Sequence, residues 1–225
     1  YCRLGRVLLL LVVLASCGSR HQVEIDGAIA QADVGHSADL VSDAVSVPDV
    51  ENGVALHSLV DPMIGTGGIG YHLGNVFVGA SLPFGMAKLG PDTKHKSWGE
   101  PAVSHCEGYW YPDTHVAGFS HIHIHGTGAP DYGSLLVQPT IGMTASKVSE
   151  AGYMLPLDHD AETNSPGYYR ISMGVPAIVA ELTATSRVGV HRYTFPETDK
   201  AVVLFDLEHS IAGCHVSDSE VSIDL

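Results

Sequence analysis

At 225 residues the chain can form one large domain or two small ones, and a hydrophobic content of 45% is enough for a real core. Eleven basic residues against 25 acidic ones give a formal charge of -14, which repels nucleic acid and excludes it as a partner. Fourteen histidines and 25 glycines are the unusual counts, and both concentrate between residues 65 and 133, so chemistry is to be sought there.

Arg3 and Arg6 precede the apolar run 7–15, which is too short to cross a bilayer as a helix and has the length of an export-signal core. The run ends in Leu14-Ala15-Ser16-Cys17, a sequence that looks like the bacterial pattern in which the cysteine is lipidated and becomes the new N-terminus. Residues 1–17 are therefore expected to be a lipoprotein signal peptide, with Cys17 the lipidated residue. The mature chain is then exported and tied by its lipid to a membrane of the bacterial cell envelope. Because the chain opens on Tyr1 rather than Met, it is expected to be part of a longer sequence at this end, and the absence of a polar tail before Leu225 raises the same expectation at the other. Cys106 and Cys214 lie beyond the leader; an exported compartment permits a disulfide between them, but their separation in sequence does not decide the pairing.

Residues 18–56 carry Glu24, Asp26, Asp33, Asp39, Asp43, Asp49 and Glu51 with almost no aromatics, so they read as a disordered acidic linker. The folded part is expected over 57–225. Short apolar runs there alternate with Gly, Pro, Asn and Asp, and no amphipathic helix of convincing length occurs. Strands are expected at 134–140, 167–173, 177–185, 187–195 and 201–208, which argues for an all-β antiparallel sandwich.

Gly65, Gly67 and Gly70 have the spacing of a dinucleotide-binding turn, but Pro62 precedes them and glycines and a proline follow where the helix should start. They read instead as a loop whose backbone approaches a ligand or another domain closely. In "FSHIHIHGTG" (119–128), extended backbone would put His121, His123 and His125 on one face and Ile122 and Ile124 on the other. Three imidazoles on one face could ligate zinc or could line a water-filled or cleft-facing strand, and the spacing leaves both open. Asp131 follows in "GTGAPDYG", where it could orient a sugar hydroxyl, ligate a metal or cap its own loop. Trp98, Tyr109, Trp110 and Tyr111 form a possible carbohydrate platform, with core packing preferred for Tyr109 and Tyr111. Glycoside hydrolysis needs an acid and a base, yet spacing singles out no pair among Asp113, Asp131, Asp158, Asp160, Asp206 and Glu208; Asp158 and Asp160 read as a solvated turn. No G-x-S-x-G elbow for a serine nucleophile occurs.

Taken together, "LVDPMIGTGG", "GASLPFGMAKLGPDT", "GYWYPDTHVAGFSHIHIHGTGAPDYG" and "SPGYYRISM…AELTATSRVGVHRYTFP" resemble the N-terminal domain of glycoside hydrolase family 92, the calcium-dependent exo-acting α-mannosidases. The resemblance runs from about Leu59 to beyond Asp206. It implies a galactose-mutarotase-like β-sandwich packed on a larger (α/α)6 barrel, its own C-terminal helical domain, with single-displacement inverting hydrolysis of mannose-containing glycans at their interface. It also implies that the acid, the base and most calcium ligands lie in the barrel, so that this chain holds no catalytic residue and is inactive alone. By the same resemblance Trp98 is the best sugar contact, and His121, His123, Gly126 and Asp131 are further substrate-binding or pocket-wall positions. Ile124, His125 and Trp110 depart from the commoner family pattern, which leaves the mannosidic linkage open. The competing readings are a stand-alone carbohydrate-binding sandwich without catalysis and a zinc-binding exported protein.

Overall fold

The structure, a computed structural model, describes residues 6–12, 22–26, 55–67, 75–94, 105–126, 128–211 and 219–224. In chain order the strands are β1 (Arg6–Val12), β2 (Gln22–Asp26), β3 (Ala80–Ser81), β4 (Lys88–Lys94), β5 (His115–Ser120), β6 (Leu136–Ile141), β7 (Leu155–Ser165), β8 (Tyr168–Met173), β9 (Ile178–Ala184), β10 (Val188–Thr194), β11 (Ala201–Asp206) and β12 (Glu220–Asp224). A single helical turn, α1 (Glu150–Tyr153), precedes β7.

The strands form two layers. One runs β7-β8-β9-β10-β1; the other runs β3-β4-β5-β6-β11, and every pair in them is antiparallel. The layers join at a corner where β5 touches β7 through His115 opposite Pro156 and Val116 opposite Leu155. Beyond it, β3 and β4 fold back over β9. Separately, β2 and β12 pair in parallel. The architecture is the expected antiparallel β-sandwich.

Side-chain alternation explains the first layer. Along β8 and β9, Tyr169, Ile171, Met173, Ile178, Ala180 and Leu182 point inward and meet Leu89, Val116, Phe119 and Val137 of the second layer. The second layer is different, because β4, β5 and β6 are buried on both faces. Their outer face is covered by the 105–113 segment, by α1, whose Tyr153 packs on Ala117 and Leu136, and by His209 after β11. This cover encloses the polar groups described below.

Each strand expected in the second half of the chain is present, with ends within one or two residues of those expected. Strands also form where the sequence reading named none, among them β4, β7 and β12; in the parts read as leader and linker, Arg6–Val12 lies along β10 and Gln22–Asp26 lies along β12. An uninterrupted Val/Leu run has the same composition whether it serves as an apolar signal core or as a strand, so composition does not separate the two. Asp158 and Asp160 are exposed as expected, but they sit inside β7 at an irregularity between Leu157 and Glu162 rather than in a turn. Asp158 Oδ1 accepts the Asp160 N–H at 3.0 Å and holds that bulge.

Phe119 is fully buried between Tyr169, Tyr193 and His191. Phe119→Ala should therefore cost about 3–5 kcal/mol, measured as a lowered urea midpoint. A loss below about 1 kcal/mol would mean that the layers close over the gap.

Candidate functional site

The histidine stretch has two faces, as its spacing demands, but the faces are reversed. β5 ends at Ser120; His121 and His123 then point into the protein at 1% and 2% exposure, while Ile122 and Ile124 are half-buried and His125 is exposed. Imidazoles tolerate such burial only when both nitrogens find partners. His121 Nδ1 donates to the Leu135 carbonyl at 2.8 Å, so its Nε2 accepts from His191 Nε2 at 2.9 Å, and His191 Nδ1 then accepts the Tyr193 hydroxyl at 2.7 Å. One acceptor carbonyl thus sets the tautomer of both rings. Burial pushes His121 down to about 4 and His191 well below its ordinary value, so both are neutral near pH 7. His125 instead stacks on Phe77 with centroids 4.9 Å apart.

His123 belongs to a different network. Its Nδ1 donates to the Lys88 carbonyl at 2.7 Å, and its Nε2 lies 3.1 Å from Asp92 Oδ1 and 3.0 Å from Ser120 Oγ. The other Asp92 oxygen, Oδ2, accepts His209 Nε2 at 2.8 Å, and His209 Nδ1 faces Glu150 at 3.4 Å. Burial alone would raise the Asp92 carboxyl, but the hydrogen bonds with His123 and His209 outweigh it and hold the group well below the carboxylate range. Burial would likewise lower His209, yet the hydrogen bonds to Asp92 and Glu150 raise it to about 9. Gly108 makes room for this cluster: with φ of +84°, a Cβ there would fall 2.0 Å from Asp92 Oδ1. His121 and His123 therefore serve separate partners, and among the described residues no group of three or more His, Cys, Asp or Glu is arranged to hold a metal ion.

The other expected site residues are spread along the chain. Trp98 lies outside the described residues, and His121 sits at the Lys88 end of β4, its carbonyl accepting the Lys88 N–H. Gly126 and Asp131 are exposed, and Asp131 Oδ1 caps its own loop by accepting the Tyr132 N–H at 2.9 Å. That loop is strained, with Tyr132 and Leu135 at φ of +62° and +57°. Of the carboxylates, Asp113 is buried against His105 at 2.5 Å and Thr93 at 2.6 Å, while Asp206 and Glu208 line an open cleft of about 600 Å³ with Glu150, Tyr153 and His209. Cys106 is buried, and Cys214 lies outside the described residues.

Near the Lys94 end of β4 the structure places residues that the sequence reading passed over. Tyr109 is fully buried as expected, but Tyr111 is 46% exposed, so core packing does not describe it. Its ring stacks on His159 with centroids 4.2 Å apart and planes 24° from parallel. His159 donates from Nδ1 to Glu162 at 2.9 Å and from Nε2 to the Asp113 carbonyl at 3.2 Å, and the Glu162 bond raises its pKa. The Glu162 carboxylate also accepts the hydroxyls of Tyr109 at 2.9 Å and Tyr169 at 2.7 Å. Thr66 O accepts the Tyr111 N–H, and at Gly67 a Cβ would stand 3.0 Å from that of Tyr111.

These charge states set the pH dependence of stability. Neutral His121 and His191 take up protons only on unfolding, so stability falls as pH drops below about 6.5, by about 1.4 kcal/mol per pH unit for each proton. His209 acts in the opposite direction: its contribution is complete below about 6.5 and is lost as pH rises toward 9. Denaturant unfolding should show maximal stability near neutrality, with an acid limb steeper than the alkaline one. His209→Gln should flatten the alkaline limb and spare the acid one; an unchanged alkaline limb would show that the ion pair adds nothing.

Comparison with known proteins agrees with this architecture. Residues 59–225 match the family model described as the glycosyl hydrolase family 92 N-terminal domain. An uncharacterized secreted glycosidase of Arthroderma benhamiae is 31% identical over 160 residues, covering 66% of this chain and 19% of the relative. The family GH92 α-mannosidase BT3965 of Bacteroides thetaiotaomicron superposes with a TM-score of 0.60 at 34% identity, over 70% of this chain and 21% of that one. The inverting mannosidase BT2199 of the same organism gives 0.53 at 26% identity, over 65% and 19%. The chain spans about a fifth of the length of these relatives. Because the family match takes in the greater part of the sequence, the chain belongs to glycosyl hydrolase family 92, whose N-terminal domain it carries.

Proposed function

We propose that this chain is the N-terminal, pocket-completing domain of an exported α-mannosidase that removes terminal mannose from glycans with inversion. The carrying observation is the match over 59–225 together with the structural likeness to a family GH92 α-mannosidase at 34% identity. Inversion needs an acid and a base on opposite faces of the sugar, with room for a water between. Asp92 and Glu162 do not suit these roles, because each is buried and already accepts several protein donors. As the family resemblance implies, the acid and base are assigned to the remainder of the longer polypeptide, and the chain alone is inactive.

Within this reading Trp98 contacts the sugar, Gly126 and Asp131 lie on an exposed loop available to the glycan or the helical domain, and His121 and His123 stiffen the wall behind it. The reaction's calcium, which would stabilise a distorted mannose, is assigned mainly to the helical domain, as the family resemblance implies. Residues 1–17 act as a lipoprotein signal peptide, residues 18–56 as the tether from lipidated Cys17, and 57–225 as the sandwich. Secretion of the Arthroderma relative supports export.

The complete polypeptide should release mannose from α-mannosides, with the β-anomer appearing first by proton NMR, and chelation should abolish turnover. Trp98→Ala should lower kcat/KM by about 100-fold through lost positioning. Complete protein that binds mannosides but releases no mannose with calcium present would sink the hydrolase reading and leave the carbohydrate-binding one.

A further inference from the structure

We propose that Tyr111 is a stacking platform for a pyranose ring of the mannose-containing glycan, held at its working angle by His159. The inference rests on the mannosidase reading and adds to it a binding residue and a positioning residue.

Tyr109 and Trp110, the two residues before Tyr111, are buried, yet Tyr111 itself is 46% exposed. One face of its ring is covered by His159, so the exposed surface lies on the side that His159 does not cover. A half-exposed tyrosine on a surface loop is ordinary; one fixed from behind in this way is not. His159 cannot tilt, because its two nitrogens are bonded to Glu162 and to the Asp113 carbonyl. Glu162 cannot move away, because the buried hydroxyls of Tyr109 and Tyr169 hold the same carboxylate. The backbone is fixed as well: the Tyr111 N–H is bonded to Thr66 O, and the Trp110 N–H to Thr93 Oγ1 at the end of β4.

A rigid aromatic face is what an apolar sugar face requires, since little side-chain freedom is lost on binding. The surroundings suit the same ligand. Gly67 lies against Tyr111 and leaves the loop 65–67 without a side chain at the closest approach. An ordinary core tyrosine would be covered and would need neither this bracing nor a bare glycine beside it.

The test uses the complete polypeptide with α-linked mannobiose. Tyr111→Ala should raise KM by about 3- to 10-fold, with kcat and the thermal midpoint little changed, and Tyr111→Phe should restore KM. His159→Gln should raise KM in the same direction while leaving the exposed ring in place. A stable Tyr111→Ala protein with wild-type KM would overturn the proposal, as would a loss confined to the thermal midpoint. If the wild-type protein releases no mannose, the hydrolase reading fails by itself, and calorimetric binding of mannobiose then decides. Weaker binding by Tyr111→Ala would uphold the platform, and equal binding would overturn it.

Discussion

The fold depends on a carboxylate taken out of water. Asp92 lies on the outer face of β4 with 2% exposure, and a charge so placed is tolerated only because His123 and His209 meet its two oxygens. Those two histidines come from the segment after β5 and from the segment after β11, so one side chain ties three parts of the chain together. His209 in turn faces Glu150 on α1, which brings the helical turn over the sheet. The second layer is thereby buried on both faces, although a two-layer sandwich normally leaves the outer face of each sheet wet.

Glu162 does the same on the other layer. It gathers two tyrosine hydroxyls and an imidazole from the 105–113 segment, β7 and β8. Each carboxylate is far more restrictive than an apolar contact, because its donors must arrive at hydrogen-bonding distance and angle. Apolar packing brings the layers together, whereas the two carboxylates fix which loops lie over which strands. In a family whose relatives are more than three times as long as this chain, such loops are where one domain can present a shaped surface to another.

Much of the sandwich was legible in the sequence because alternation survives in local windows: "GYYRISM" and "AIVAELTAT" show their buried faces without knowledge of any partner. The histidine stretch was legible in period but not in direction. Alternation states that His121 and His123 share a face, yet not which face is dry, and their burial depends on Leu135, His191, Lys88 and Asp92. The Asp92–His209 contact spans 117 positions in sequence and leaves no local trace. Tyr111 was misjudged for the opposite reason: its neighbours Tyr109 and Trp110 are both buried, and an aromatic run in a loop has no period to tell the exposed ring from the covered ones. The family resemblance supplied the fold, but residue positions in the carboxylate networks had to come from geometry.

Gly108 carries a consequence for how this sequence can change over evolutionary time. A side chain at that position would occupy the space of the Asp92 carboxylate, and the backbone there is left-handed as well. Any single step away from glycine is therefore blocked while the aspartate stands. Loss of the aspartate first would strand His123 and His209 without their shared acceptor. The four positions are therefore coupled: a change at one is accommodated only with changes at the others, so single substitutions are easier in the exposed loops than at this cluster.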